Sequence, residues 1–400
     1  MAKLKQRLAG FFGINTSMAS MLVMVVLIGM GEKMAERFLP LYLIALGGSI
    51  YAVGFLNAMD NFLSAVYSFP GGYLADRIGY KKSLMLFTVI ALCGYALVIL
   101  IPSWQAVLIG AVFFIAWTAI SLPAIMSLVA QTMKKEQRTM GVTLHSLVRR
   151  IPMALGPVIG GLLIGIYGKV DGIRIAFALA FILGIVSLLV QYYFIEDNGS
   201  SGEAHLRASK IYGSFSPGLR GLLVSDILIR FAEQIPYAFV VLWVVEVNQI
   251  SALRFGILTT VEMITAVLVY IPVAYMADKY GKKPFVLITF GFFTLFPLVL
   301  YFSHTFVALV FAFVIRGLKE FGEPTRKALI MDLAPENLKA ATFGTYYLIR
   351  DIIVAIAALS SAYLWHISPG TNFLTAFACG LIGMIVFAVY GRDLRSQPEQ

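Results

Sequence analysis

Long apolar runs of 19 to 29 residues recur along this chain, separated by short polar, basic, glycine- or proline-bearing stretches. The runs do not alternate with period two and are far too long for the strands of a membrane barrel. Crossing the hydrocarbon as a helix takes ~20 mostly apolar residues. The pattern therefore predicts twelve membrane helices, at 17–45, 50–73, 83–101, 105–131, 141–167, 174–195, 220–247, 252–276, 284–302, 306–331, 341–365 and 371–391. The only long polar stretch runs from Glu196 to Pro217 and carries Gly, Ser and mixed charge. It divides the chain into an N-terminal six-helix bundle (1–195), a cytoplasmic linker (196–219) and a C-terminal six-helix bundle (220–400). Asn198-Gly199-Ser200 fits a glycosylation pattern, but a cytoplasmic linker is the wrong side for it. Met1 to Arg7 is basic like the start of a signal peptide. The apolar segment after it is too long and lacks a small-residue cleavage site, so it reads as a retained first span.

Composition agrees with lipid as the solvent. Hydrophobic residues make up 60% of the 400 and charged residues 13%, and the mean hydropathy is +0.85. Soluble domains have about 45–50% apolar and about 25% charged residues. The net charge of +10 raises nucleic acid as a partner, but its distribution speaks for topology. Eighteen basic residues fall on one side, among them Lys3, Lys5, Arg7, Arg77, Lys81, Lys82, Lys134, Lys135, Arg138, Lys282 and Lys283. The other side holds Lys169, Arg174 and Arg254. The excess of Lys and Arg in cytoplasmic loops puts both termini in the cytoplasm of a plasma (inner) membrane protein. Cys93 and Cys379 lie in separate apolar runs, and the four histidines are scattered. Neither a disulfide framework nor a metal site is expected.

The chain repeats itself. A shift of 202 residues brings Gly54 onto Gly256, Asp60 onto Glu262, Asp76 onto Asp278 and Gly79 onto Gly281. A shift of 201 brings Pro123 onto Pro324, and Leu147-Val148-Arg149 onto Leu348-Ile349-Arg350. One nearly constant offset across several elements implies two six-helix halves in parallel orientation. The interiors of spans 3, 9 and 12 are uncharged, as is that of span 6 beyond Arg174, which marks every third helix as lipid-facing.

Gly72-Tyr73-Leu74-Ala75-Asp76-Arg77-Ile78-Gly79-Tyr80-Lys81-Lys82, placed in the 2–3 loop, resembles the signature loop of the major facilitator superfamily. A weaker copy runs from Ala274 through Asp278, Gly281 and Lys282 to Lys283. The resemblance implies the twelve-helix fold of that family. It also implies a cytoplasmic latch, with Asp76 near the start of span 11 and Asp278 near the start of span 5, where a helix N-terminus favours a carboxylate. Gly156-Pro157-Val158-Ile159-Gly160-Gly161 in span 5 resembles the core of the drug–proton antiporter motif. Its upstream glycines are absent, and close helix packing explains it about as well. Glu32-Lys33-Met34-Ala35-Glu36-Arg37 is similar to the first-span signature of proton-coupled oligopeptide transporters. Three residues separate the glutamates here, where that signature has two.

Ionisable groups inside a membrane are costly and mark pathways or pairs. Glu32, Glu36 and Arg37 in span 1, Asp60 in span 2, Arg230 and Glu233 in span 7 and Glu262 in span 8 are such groups. Span 10 carries Arg316, Lys319, Glu320, Glu323 and Lys327 at three- and four-residue intervals, a spacing that predicts one charged helical face with i, i+4 pairs. Glu32, Glu36 and Asp60 are the leading candidates for proton coupling, whereas Glu320 and Glu323 neutralise basic neighbours. Arg149, Arg350 and Asp351 are candidates for a gate or for ion pairs. Phe38, Tyr42, Tyr237, Trp243, Tyr346 and Tyr347 are candidate cavity aromatics.

The expectation is a monomeric, alternating-access secondary transporter with no cofactor beyond the proton. Its partners are a small organic substrate, protons and membrane lipid. Proton-driven export of amphipathic compounds leads. Proton-coupled uptake of an organic anion, sugar derivative or small peptide is the alternative. A receptor or scaffold on the same fold is a third, disfavoured by the cost of its midplane charges. No nucleophile or metal constellation suggests an enzyme.

Overall fold

The computed structural model describes residues 16–114, 117, 121–122, 124–125, 128–129, 144–196, 213, 215–334 and 339–391. At 68–73, 75–76, 270–272, 274–275, 277–280, 324, 331 and 339–341 it describes the backbone only. Among these residues the regular structure is helical. The elements are α1 (Thr16–Glu36), α2 (Leu39–Ala45), α3 (Ile50–Ile78), α4 (Tyr80–Leu100) and α5 (Trp104–Phe114). They continue with α6 (Arg150–Phe194), α7 (Pro217–Tyr237), α8 (Phe239–Leu242) and a π-helical turn at Trp243–Val247. The remainder are α9 (Ala252–Tyr280), α10 (Lys283–Phe302), α11 (Phe306–Leu318), α12 (Glu323–Leu333), α13 (Lys339–Ile367) and α14 (Pro369–Tyr390). Seven described helices are long and apolar enough to cross a membrane, and the pair Pro217–Tyr237 and Phe239–Val247, bent by 41°, is an eighth.

Every predicted span falls on helix where it is described, and the differences lie at breaks and links. Span 1 breaks at Arg37-Phe38, ahead of Pro40 in the first turn of α2. Proline is tolerated there because its missing N–H would have no partner anyway. Spans 5 and 6 meet in α6 without a loop. Gly168, at φ 81°, reverses the chain where a Cβ would be strained. The predicted 2–3 loop is shorter than expected, because α3 runs through Asp76 and Arg77 to Ile78. Gly79 alone, at φ 85°, separates it from α4, and Gly281, at φ 94°, plays the same part after α9.

The largest departure is span 10. It is two helices, α11 and α12, separated by Lys319–Gly322, with Pro324 in the first turn of the second. The charges predicted to share one face of a continuous helix over 306–331 are therefore divided between two helices and the turn that joins them. Lys319 pairs with Glu233 at 2.6 Å instead of with Glu323, and the expected Glu323–Lys327 pair forms, at 3.5 Å.

The chain forms two compact units. The first comprises 1–48, 63–204 and 251–256, the second 49–62, 205–250 and 257–400. In the first, α1 lies along α6 on a seam of small residues. A Cβ on Gly31 would stand 2.8 Å from the Ala180 backbone, and one on Gly156 2.7 Å from Lys33 Cβ. In the second, α7 packs on α14 and α13 around Leu219, Leu222, Phe290, Ile330 and Phe387. Many large apolar side chains point outward, among them Ile166, Phe302, Phe311, Ile356 and Val389, each more than half exposed. Surface of this kind is covered by lipid in a membrane protein.

Candidate functional site

The first unit holds an acid–base cluster on α1. Lys33 Nζ donates to Glu32 at 2.9 Å and to Glu36. Glu32 is buried and Glu36 half-buried. Charges are costly in hydrocarbon unless paired, so the lysine between two glutamates stabilises both. The cluster is set by the helix seam. The carbonyl group of Met34 leaves no room for a Cβ at Gly160, and Lys33 leaves none at Gly156. The span-5 glycine motif thus brings the backbones close enough to fix the acidic turn. On its other side a Cβ at Gly161 would meet the Ala252 carbonyl, and one at Gly256 the Pro157 carbonyl. Arg37 lies in the turn after α1.

A narrow cavity opens beside this cluster, lined by Glu32, Lys33, Trp117, Ser121, His145 and Arg149 among others. Its free volume is about 20 Å³, the scale of one water molecule rather than of an organic substrate.

The second unit holds a longer network. Asp226 on α7 accepts hydrogen bonds from Arg326 and from Tyr346 Oη at 3.1 Å, and faces Arg350 at 3.5 Å. Arg326 also binds Glu323 at 2.7 Å, and Glu323 meets Arg230 at 3.5 Å. Arg230 binds Glu233 at 2.5 Å, and Glu233 takes Lys319 at 2.6 Å. Lys319 is 3.9 Å from Glu262, which pairs with Arg316 at 3.3 Å. Arg350 binds Asp351 at 2.7 Å.

Each cation in the network has a carboxylate partner. Aromatic faces line it as well: Arg350 sits 4.1 Å from the Tyr347 ring centre, and Arg316 lies over Tyr237, Phe296 and Phe313. Such contacts add about 0.5–2 kcal/mol each.

The break in span 10 builds this arrangement. Gly322 N–H donates to Thr289 Oγ1 at 2.5 Å, so a backbone group freed from the helix is satisfied. A Cβ on Gly317 would stand 2.5 Å from the Glu262 carbonyl. That glycine lets α11 approach α9 and carries Arg316 to Glu262. Glu320 lies in the break itself.

Other predicted residues are distributed around these clusters. Asp60 is half-buried on α3 between Asn57 and Asn61, which donate to Gln234 at 2.9 and 3.2 Å. Of the signature residues, Arg77 is exposed, Lys81 reaches the Tyr192 carbonyl at 2.9 Å and Lys282 pairs with Asp332. Gly72 lies on α3, and the side chains of Asp76 and Asp278 lie outside what is described, so the expected latch has no geometry here. Phe38, Tyr42, Trp243 and Tyr346 are packed inside their units, not arrayed along the cavity.

Three participants were not selected from the sequence. Asp226, the hub of the second network, stands four residues before Arg230, a spacing that signals a shared helical face. Arg326 is not among the span-10 charges named from their spacing. His145 was dismissed with the scattered histidines, although it precedes Arg149 by one helical turn.

The chain matches the family model described as Major Facilitator Superfamily over residues 21–232 and 222–400. An uncharacterised MFS-type transporter of Methanocaldococcus jannaschii is 22% identical over 375 residues, 88% of this chain and 89% of that protein. An uncharacterised MFS-type transporter of Mycobacterium tuberculosis is 29% identical over 157 residues, 39% of this chain and 37% of its own. Among solved structures, the nucleoside transporter NupG superposes with a TM-score of 0.78 at 12% identity, over 94% of this chain and 100% of that one. The peptide transporter POT in complex with sulfate gives 0.76 at 15% identity, over 96% of each chain. Apolar helices, two internally paired charge clusters and a family match over both halves agree: this chain belongs to the Major Facilitator Superfamily, as an all-helical integral membrane transporter and not an enzyme.

Proposed function

We propose that this transporter couples proton movement to the export of small amphipathic organic compounds by alternating access. It acts as a monomer in the plasma (inner) membrane, with both termini in the cytoplasm. The observation that carries this reading is the Glu32–Lys33–Glu36 cluster, held against the span-5 glycine motif and bordered by a water-sized cavity. A carboxylate that shares one lysine with a second carboxylate can exchange a proton when the lysine shifts between them. The network of the second unit, where each cation is already matched, suits a static scaffold better.

The test is proton movement in liposomes that hold the purified protein and a trapped pH dye, across a panel of organic compounds. Glu36→Gln and Asp60→Asn should abolish compound-triggered flux while folding is retained. Normal proton-driven transport by Glu36→Gln sinks the assignment.

A second reading, proton-coupled uptake of an organic anion, sugar derivative or small peptide, draws on the stacked guanidiniums of Arg316 and Arg350. The neighbours in fold carry peptides and nucleosides by their names. Direction decides between the two: protons entering as compound leaves supports export, and both moving together supports uptake.

A further inference from the structure

Three side-chain amides of the second unit meet away from its charge network. Asn57 and Asn61 stand one turn apart on α3, and Gln234 meets them from α7. Asn57 Nδ2 donates to the Gln234 carbonyl at 2.9 Å. That carbonyl is among the last of α7, where the helix supplies no partner. The Ala238 N–H, which would reach it in a continued helix, goes to the Pro236 carbonyl. Asn61 Nδ2 donates to the Asn57 carbonyl at 2.9 Å and to Gln234 Oε1 at 3.2 Å, so both of its N–H groups are used. Asn57 Oδ1, Asn61 Oδ1 and the Gln234 amide N–H groups are left without a partner among the described residues. None of these atoms is sealed from solvent. Asn61 and Gln234 are half-buried, and Asn57 is 4% exposed. The repeat shows that the fold does not require amides here. The shift of 202 residues places Thr259 and Met263 at the positions of Asn57 and Asn61, and both are buried.

We infer that this amide cluster is a subsite for a neutral, hydroxyl-bearing part of the transported compound. It rests on the reading of an amphipathic organic substrate given above, and names the polar part of that substrate. Two acceptors beside one donor group match hydroxyls, because each hydroxyl donates one hydrogen bond and accepts others. A carboxylate would set its oxygens against two amide oxygens and the neighbouring Asp60. An ammonium has no acceptor for the Gln234 N–H groups, and a donor left unmade costs more than one hydrogen bond gains. The amides hold one another through Asn57 and Asn61 before any ligand arrives, so binding costs little side-chain ordering. The ion pairs of the second network stay closed and take no part.

Binding is measured by thermal shift on the purified protein in lipid nanodiscs at pH 7, with no gradient. The probes share a hexyl tail and differ in their heads: hexyl glucoside, 1,2-hexanediol, hexanoate and hexylamine. The hydroxylated probes should raise the melting temperature in a saturable way, and the charged ones should not. Equal shifts from all four, a preference for a charged head, or no shift from the hydroxylated probes overturns the inference. Gln234→Glu keeps an oxygen for Asn61 and removes the N–H groups offered to the ligand. It should weaken hexyl glucoside binding by about three- to tenfold, the worth of one neutral hydrogen bond. A role confined to joining α3 to α7 would leave that binding unchanged, and unchanged binding overturns the subsite. The comparison of probes on the wild type decides the matter even where that variant fails to fold. Selective binding without compound-triggered proton flux in liposomes leaves the subsite standing and sinks the coupling reading. Proton flux that is equal for compounds with and without hydroxyls overturns the subsite and leaves the coupling.

Discussion

Lys81 and Lys283 stand 202 residues apart at the same place in the repeat, and each closes the last helix of its own half. Lys81 Nζ donates to the Tyr192 carbonyl at 2.9 Å, near the end of α6, and Lys283 Nζ to the Ala388 carbonyl at 3.0 Å, near the end of α14. The final carbonyls of a helix have no intrahelical partner and carry negative partial charge, which a cation stabilises by about 0.3–1 kcal/mol. The basic residues of the signature thus serve as helix caps as well as topology signals. Lys81→Met and Lys283→Met should raise hydrogen exchange by about two- to fivefold in the last turn of α6 and α14 respectively. Lys81→Arg should restore protection. Equal exchange in all variants would remove the cap.

The Asp226 carboxylate faces two guanidiniums, Arg326 and Arg350, in a site only 1% exposed. Removing it leaves buried cations without their counter-charge, which costs about 3–5 kcal/mol. Asp226→Asn should therefore lower the melting temperature in detergent more than any single exposed-charge substitution, such as Lys327→Gln. Adding Arg326→Met should recover part of the loss, because one of the orphaned charges is then removed. A double variant less stable than the single one would contradict this account.

At Gly160 the Met34 carbonyl occupies the space a Cβ would need, whereas nothing lies within 4 Å of a Cβ on Gly165, one turn further along α6. Gly160→Ala should cost about 1–3 kcal/mol by overpacking and reduce transport, because it displaces the Glu32–Glu36 turn. Gly165→Ala should be neutral, or stabilise by about 0.5–1 kcal/mol through helix propensity. Unfolding titrations of the two variants compare them directly, and equal stabilities would refute the close seam.

Gly79 and Gly281 have φ of 85° and 94°. An L-residue with a positive φ of this size is strained by about 1–3 kcal/mol. Gly79→Ala and Gly281→Ala should each destabilise by that amount, measured by thermal unfolding. Gly344→Ala, on a helix with open space around the Cβ, should not.

Much of this was legible in the chain. Apolar run length and the Lys/Arg bias give the spans and their expected orientation, since lipid forces every backbone polar group into a helix or a closed barrel. The repeat is legible because side chains at matched positions meet matched surroundings, as Lys81 and Lys283 do. The buried charges on α1, α7, α9 and α11 are legible from their cost in an apolar run.

Partners were not legible. The spacing of Arg316, Lys319, Glu320 and Glu323 assumes an unbroken helix, and the break at Lys319–Gly322 turns Lys319 toward Glu233 on another helix. That break depends on Thr289 receiving the Gly322 N–H, a contact 33 residues away in sequence. Asp226 and Arg326, 100 residues apart, meet only because α7 and α12 pack together. His145 lines one cavity with Glu32 and Trp117 only because the fold brings the three together. By itself the sequence determined which segments enter the membrane and which of them carry charge, because both follow from the local cost of transfer to lipid. The tertiary structure decided which charge neutralises which and where water-sized space remains, because those depend on distances between helices that no local pattern encodes.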